Sequence, residues 1–181
     1  MTLKGRFSRL LFTPRPTLFG YQRLPGLVVN TAKAAAFFHL FTEYFFSVKL
    51  TYGPSMLPTI NVRDDYVIIS KLYARGRGIQ VGDIVNFKHP MFPNTGAVKR
   101  VLGMPGDFVL RDSPGSEKAM MIQVPKGHCW VIGDDLGSSR DSRLYGPIPL
   151  ALIKGRALAK VVFPRFWSPQ YLDRSITPLH D

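Results

Sequence analysis

Beyond residue 50 the apolar residues of this chain come in short runs. They are Tyr66-Val67-Ile68-Ile69, Asp83-Ile84-Val85-Asn86-Phe87, Ala97 to Leu102, Phe108-Val109-Leu110, Met121-Ile122-Gln123-Val124 and Cys129-Trp130-Val131-Ile132. Gly, Pro, Asp and Asn cluster between them, at Gly76 to Gly78, Pro90 to Gly96, Pro105-Gly106-Asp107, Ser113-Pro114-Gly115 and Pro125 to Gly127. Runs this short, rich in β-branched and aromatic residues and bounded by turn formers, predict strands and leave little room for multi-turn amphipathic helices. The expected fold is therefore mainly β, built of antiparallel sheet over residues 51–163, with local helix at most around Pro149 to Ile153. A chain of 181 residues supports one hydrophobic core of this kind with appendages.

The appendages differ in composition. Residues 1–23 are basic, free of acid and interrupted by Pro14 and Pro16, as an organellar targeting segment would be. Residues 24–48 are apolar over a length that suits a bilayer-spanning helix, although Asn30, Lys33, His39 and Glu43 interrupt them. Each charged residue near a bilayer centre costs about 2.5–3.5 kcal/mol on insertion scales. His39 and Glu43 lie four apart, on one helix face, where they can pair with each other or with a second membrane helix. The expectation is one N-terminal membrane helix, with an interfacial amphipathic helix as the alternative. Residues 164–181, punctuated by Pro164, Pro169 and Pro178, are expected to be irregular.

The formal net charge of +12 calls for an anionic neighbour. Lys4, Arg6, Arg9, Arg15, Arg23 and Lys33 all precede the first acidic residue, Glu43, so much of the excess belongs to a tail and not to a domain-wide patch. That distribution favours a targeting segment or a membrane-flanking tail. A basic β-rich nucleic-acid module is the rival, but the basic residues show no repeated interleaving with aromatics. With Cys129 as the sole cysteine an internal disulfide is impossible, and His39, His89, His128 and His180 lack the partner spacing of a metal site.

Four stretches carry possible chemistry: Gly53-Pro54-Ser55-Met56-Leu57-Pro58-Thr59, Gly82-Asp83-Ile84-Val85, Lys99 to Asp107, and Gly133 to Arg143. Singly, each has a bland reading as turn, solvated strand or loop. In this order and at these separations they resemble the type I signal peptidase family, over about residues 51 to 160. Within it they resemble the subunit 1 branch of the mitochondrial inner membrane peptidases. The pointers are the Gly-Pro-Ser-Met opening, Gly78-Ile79-Gln80, Asp141 to Ile148, and the short span from Asp107 to Gly133.

The resemblance implies a serine endopeptidase with Ser55 as nucleophile and Lys99 as general base. A serine hydroxyl is a poor nucleophile until a neighbouring base takes its proton. To act near neutrality, Lys99 needs its pKa brought from about 10.4 toward 7–8, which burial can do. On a strand, Ala97 and Val101 share a side with Lys99, and Val98 and Leu102 flank Arg100, so periodicity alone does not choose between the two basic residues. Family position selects Lys99, and an arginine stays protonated at any accessible pH. The resemblance further places the Ser139 hydroxyl against the lysine, with Asp141 and Arg143 supporting one another behind it. Asp135-Leu136-Gly137-Ser138 departs from the commonest run there. Gly53 stands where many bacterial members have a serine that helps hold the oxyanion; here the Ser55 N–H is the expected donor, joined by the residue-53 amide.

Asp83 is read as a structural turn residue, Met56 as a core or membrane-contact residue, His128 and Cys129 as packing residues, and His89 as a loop residue. The resemblance implies no metal or cofactor. It implies precursor proteins with apolar sorting signals as substrates, a homologous second peptidase subunit as partner with His39 and Glu43 as a possible contact, and no nucleic acid. The implied location is the mitochondrial inner membrane, with the catalytic domain facing the intermembrane space. A bacterial or other organellar signal peptidase is the alternative.

Overall fold

The computed structural model describes residues 23–92, 94–112, 120–162, 168–172 and 174. The contacts divide the chain after Leu40. Up to that point the described residues belong to helix α1 (Arg23–Phe45), whose side chains from Gly26 to Leu40 are exposed. Among the described residues no helix is long and apolar enough to cross a membrane. Asn30, Lys33, His39 and Glu43 dilute the apolar residues of α1 in the way the sequence suggests. The basic tail 1–23 lies, but for Arg23, outside the described residues.

The second unit is a β domain. Its strands are β1 (Phe46–Leu50), β2 (Asp65–Ser70), β3 (Ile84–Lys88), β4 (Gly96–Gly103), β5 (Phe108–Leu110), β6 (Met121–Gln123), β7 (His128–Ile132), β8 (Ile148–Pro149), β9 (Ile153–Val162) and β10 (Gln170–Tyr171). One antiparallel sheet runs β1-β2-β9-β3-β4-β7-β8, with β10 added to β9, and β5 and β6 form a separate hairpin. Short 3-10 turns at Pro54–Met56, Lys71–Gly76 and Leu150–Leu152 and a single helical turn, α2 (Ser142–Tyr145), connect the strands. The mainly β, antiparallel fold expected from the sequence is the one observed.

Three differences from the sequence reading have physical causes. Residues 46–48 do not continue the helix; they open β1, whose register pairs Phe46 with Ser70 and Leu50 with Tyr66, so the sheet starts before residue 51. Strand β9, the longest, is absent from the runs picked out by sequence because its buried positions include Gly155, Ala157 and Ala159, too small to stand out as apolar. The tail beyond residue 164 is not wholly irregular. Gln170 and Tyr171 pair with Lys160 and Ala159, Leu172 packs on the core, and Arg174 Nε donates to Asp83 Oδ1 at 2.6 Å.

Strand alternation sorts the core. Val85, Phe87, Val101, Cys129, Val131, Ile148 and Ile153 form one buried cluster, and Met56, Ile60, Val67, Ile69, Ile84 and Ala157 another. Adjacent residues of β3 and β4 thus serve different clusters, as opposite faces of a strand require. Trp130 and Ile132 close a third cluster with Val109 and Val124 under the hairpin. Met56 and Cys129 are packing residues, as expected.

At Gly155 a Cβ would sit 2.3 Å from the Ser70 carbonyl oxygen and 2.7 Å from Ile69 Cγ2, so β2 and β9 approach only because the side chain is absent. A backbone oxygen cannot swing aside as a side chain can. Gly155→Ala is expected to lower unfolding free energy by about 3 kcal/mol, the upper end of overpacking costs, measured by denaturant titration.

Candidate active site

Ser55 enters the site from the turn Pro54–Met56. Gly53 ahead of it has φ 105° and ψ 154°, backbone angles L side chains rarely adopt. Pro54 opens the turn, where a missing N–H leaves nothing unsatisfied. Met56 and Ile60 are buried in the second core cluster, which pins the turn and leaves Ser55 half-buried at its edge.

Lys99 lies in the middle of β4, opposite Val85 of β3, and is 5% exposed. Its Nζ donates a hydrogen bond to Ser55 Oγ. Burial pulls the amine down from 10.5 to about 8; Asp141 and Asp134 draw it back up, and Arg143 pushes it down. The difference corresponds to roughly 3 kcal/mol of selective destabilisation of the ammonium. A serine hydroxyl bonded to an amine that is substantially neutral near pH 8 has a base in place.

Asp141 is fully buried and caps α2, accepting from the Arg143 N–H. Arg143 grips the carboxylate through Nε–Oδ1 at 2.9 Å and Nη2–Oδ2 at 3.0 Å, and the Gly133 N–H donates to Oδ2 at 3.0 Å. Burial works to raise the Asp141 pKa but is outweighed, first by the Arg143 hydrogen bonds, then by neighbouring Ser139 and the Gly133 N–H, so the group stays below its ordinary value. Arg143 also donates to the Leu136 carbonyl at 2.7 Å, tying the loop to itself. Ser139 is buried, and its hydroxyl makes no hydrogen bond among the described residues, to Lys99 or to any other group.

Arg100, next to Lys99, faces the other way and is buried too. It binds Asp134 in a two-point grip, Nε–Oδ1 and Nη2–Oδ2 both at 2.8 Å, and donates to the Gly82 carbonyl at 3.0 Å. Thr59 donates its hydroxyl to the same Asp134 carboxylate. Beside that grip the Asp135 N–H donates to the Ser55 carbonyl at 3.3 Å. A Cβ on Gly133 would fall 2.2 Å from the Ser55 carbonyl oxygen and 2.3 Å from Ser139 Oγ. Strand β4, the loop after β7 and the Ser55 turn are therefore joined in one packed junction.

The residue-53 amide is not free for an oxyanion: it donates to the Val62 carbonyl at 3.0 Å. The Ser55 N–H lies in the first turn of a 3-10 helix, where amides lack an intrahelical acceptor. Asp83 is structural, accepting from the Gln80 N–H and paired with Arg156 and Arg174.

Sequence reading missed the Arg100–Asp134–Thr59 junction, because no spacing rule links residues 34 and 41 positions apart. His89 is a loop residue just beyond β3, as expected. The ring packs against Phe92 and Tyr145, Nδ1 accepts the Met91 and Phe92 N–H groups, and burial and the Lys99 charge lower its pKa. Both Ser55 and Lys99 line a cleft of about 650 Å³, together with Leu50 to Gly53, Gly96 to Val98 and His89.

A family model described as signal peptidase, peptidase S26, matches residues 26–113 and 110–162. The mitochondrial inner membrane protease subunit 1 of Schizosaccharomyces pombe is 41% identical over 155 residues, covering 85% of this chain and 96% of the relative. The subunit 1 protein of Homo sapiens is 43% identical over 135 residues, covering 75% and 81%. Mitochondrial inner membrane protease subunit 2 of Danio rerio is 35% identical over 130 residues, covering 70% of this chain and 68% of the relative.

The junction generates a stability test. Asp134→Ala leaves the Arg100 guanidinium buried without its partner and is expected to cost about 3–5 kcal/mol, measured by urea unfolding. Adding Arg100→Met should recover much of that loss, because an apolar side chain of similar length removes the orphaned charge.

Proposed function

The chain belongs to the signal peptidase family S26, and from that premise we propose that it cleaves precursor proteins with a Ser55–Lys99 dyad at the mitochondrial inner membrane. The observation that carries the reading is the hydrogen bond from a buried, pKa-depressed Lys99 amine to the Ser55 hydroxyl. It is a serine peptidase by family and a membrane signal peptidase of mitochondria by its relatives.

In the proposed mechanism, the neutral Lys99 amine takes the Ser55 proton as Oγ attacks the scissile carbonyl. The Ser55 N–H faces the developing oxyanion, without the residue-53 amide. Lys99 then returns the proton to the leaving amine, freeing the carboxy-terminal product and leaving an ester on Ser55. Water, deprotonated by the same amine, hydrolyses that ester. Asp141 and Arg143 act behind Lys99 as positioning residues, and Ser139 is available to orient its amine.

The substrate is an extended segment carrying an apolar sorting signal. The ladder between β4 and β7 begins at Arg100 and Ile132, so residues 96–98 offer an edge to such a segment beside Ser55. A homologous second subunit is the proposed partner, since relatives are named as subunit 1 and subunit 2. Glu43 is engaged with Lys71 at 3.8 Å and so would need to exchange that contact to meet a partner. The proposed topology puts the basic tail on the matrix side and the β domain in the intermembrane space.

Cleavage of a sorting-signal precursor by the detergent-solubilised chain tests the dyad, run with and without the second subunit. Ser55→Ala, Lys99→Ala and Lys99→Arg are each expected to abolish cleavage, the last because arginine cannot give up its proton. Activity surviving any of them would place the chemistry elsewhere.

The pH profile follows from the same amine. Lys99 must be neutral to accept a proton, so kcat/KM should rise about tenfold per pH unit below an apparent pKa near 8 and level off above it. Stability linkage has the same direction. The unfolded lysine binds a proton up to about 10.5, so stability attributable to this group rises with pH between about 8 and 10.5, and its penalty is fully present below 8. A profile flat from pH 6 to 9, measured by single-turnover cleavage, contradicts the assignment.

A further inference from the structure

A second cleft, about 660 Å³, opens among the end of α1, β1, the 3-10 segment Lys71–Gly76 and the start of β9. Four cations line it, Lys49, Lys71, Arg75 and Lys154, against a single carboxylate, Glu43. Lys71 is bound to Glu43, through the backbone carbonyl and the carboxylate. Lys49, Arg75 and Lys154 have no carboxylate at ion-pair distance among the described residues. Gathering uncompensated like charges around one concavity opposes folding, and it creates a local field that concentrates anions.

Two further features point into the same place. Arg75 has φ 59° and ψ 29°, a left-handed conformation in which a long side chain is held at a cost and which recurs at ligand-binding positions. Asn86, on β3, is nine-tenths buried, lines this cleft, and makes no side-chain hydrogen bond among the described residues. Its amide offers a neutral donor beside the cations. The elements that form the cleft also expose apolar side chains, Phe45, Val48, Leu50 and Leu72. A free anion would leave those in water, whereas a lipid brings acyl chains to cover them.

We propose that this cleft binds the phosphate headgroup of an anionic phospholipid, with Lys49, Arg75 and Lys154 as the charged contacts and Asn86 as a neutral one. The site shares Asn86, Lys49 and Lys154 with the wall of the catalytic cleft, so an occupied headgroup site would fix the β domain against the bilayer next to the substrate channel. The inference rests on the reading of the chain as a membrane-bound peptidase.

The test uses the full chain in an uncharged detergent, titrated separately with dihexanoyl phosphatidylglycerol, dihexanoyl phosphatidylcholine and inorganic phosphate, with binding followed by calorimetry. The phosphatidylglycerol is expected to bind at least about tenfold more tightly than either of the others, and the combined Lys49→Gln, Arg75→Gln, Lys154→Gln variant to lose at least about tenfold of that affinity. Arg75→Gly alone should weaken phosphatidylglycerol binding while keeping or raising the thermal midpoint, since glycine adopts a positive φ freely. Equal binding of the two lipids, unchanged affinity in the triple variant, or a lowered midpoint with unaltered affinity in Arg75→Gly overturns the proposal. Inorganic phosphate binding as tightly as the lipid assigns the site to a free anion instead and overturns it too. Vesicle flotation separates the two levels: a chain that fails to float with phosphatidylcholine vesicles overturns the membrane reading itself. One that floats but shows no headgroup preference overturns only the cleft.

Discussion

The two-point grip of Arg100 on Asp134 is the interaction around which the site is built. Both side chains are almost fully buried, and a charge pair in that position is stable only when its geometry is close to ideal and its remaining hydrogen-bonding capacity is used. Here it is used: the guanidinium also reaches the Gly82 carbonyl, and the carboxylate accepts from Thr59. The grip joins the strand that carries Lys99, the turn before β3, the segment following Ser55 and the loop after β7. Because side chains alternate along a strand, anchoring Arg100 on one face presents Lys99 on the other.

That geometry has an electrostatic consequence. Two cations adjacent in sequence are both withdrawn from water, yet they meet opposite environments. Arg100 has a carboxylate at contact distance and keeps its charge. Lys99 has carboxylates only at longer range, in Asp141 and Asp134, while burial acts on it directly, so its amine falls to about 8. Arg143 contributes twice, by occupying Asp141 and by repelling the ammonium. A single substitution bringing a free carboxylate next to Lys99 would restore its ordinary basicity.

Close backbone approach is the second requirement. Gly133 lets the loop after β7 lie on the Ser55 carbonyl and fold back on its own Ser139, and Gly155 lets β9 lie on β2. These contacts explain why the loop from Gly133 to Arg143 has a defined shape despite its polar composition. It is stapled by Asp141 at one end, by Asp134 at the other and by the Arg143–Leu136 hydrogen bond between them. Positive charge left over after these internal pairings gathers beside α1 and β1, separate from the charge used inside the fold.

Strand runs with turn formers between them determined the β class of this protein, because period-two patterning and Gly-Pro punctuation act over a few residues and need no tertiary context. Ser55 and Lys99 were singled out by the resemblance in motif order, with side-chain chemistry agreeing on lysine over arginine, and the structure brings the two side chains into hydrogen-bond contact. Strand β9 was not legible, since Gly155, Ala157 and Ala159 are buried for their small size and carry little hydrophobic signal. Nor was the strand character of residues 46–50, where pairing with β2 overrides a helical run. Gln170, Tyr171 and Arg174 likewise owe their placement to contacts with β9, Asp83 and Gln80. Above all, the depressed Lys99 amine and the Arg100–Asp134 junction belong to the tertiary structure, because burial and contact between residues distant in the chain exist only once the sheet has brought them together.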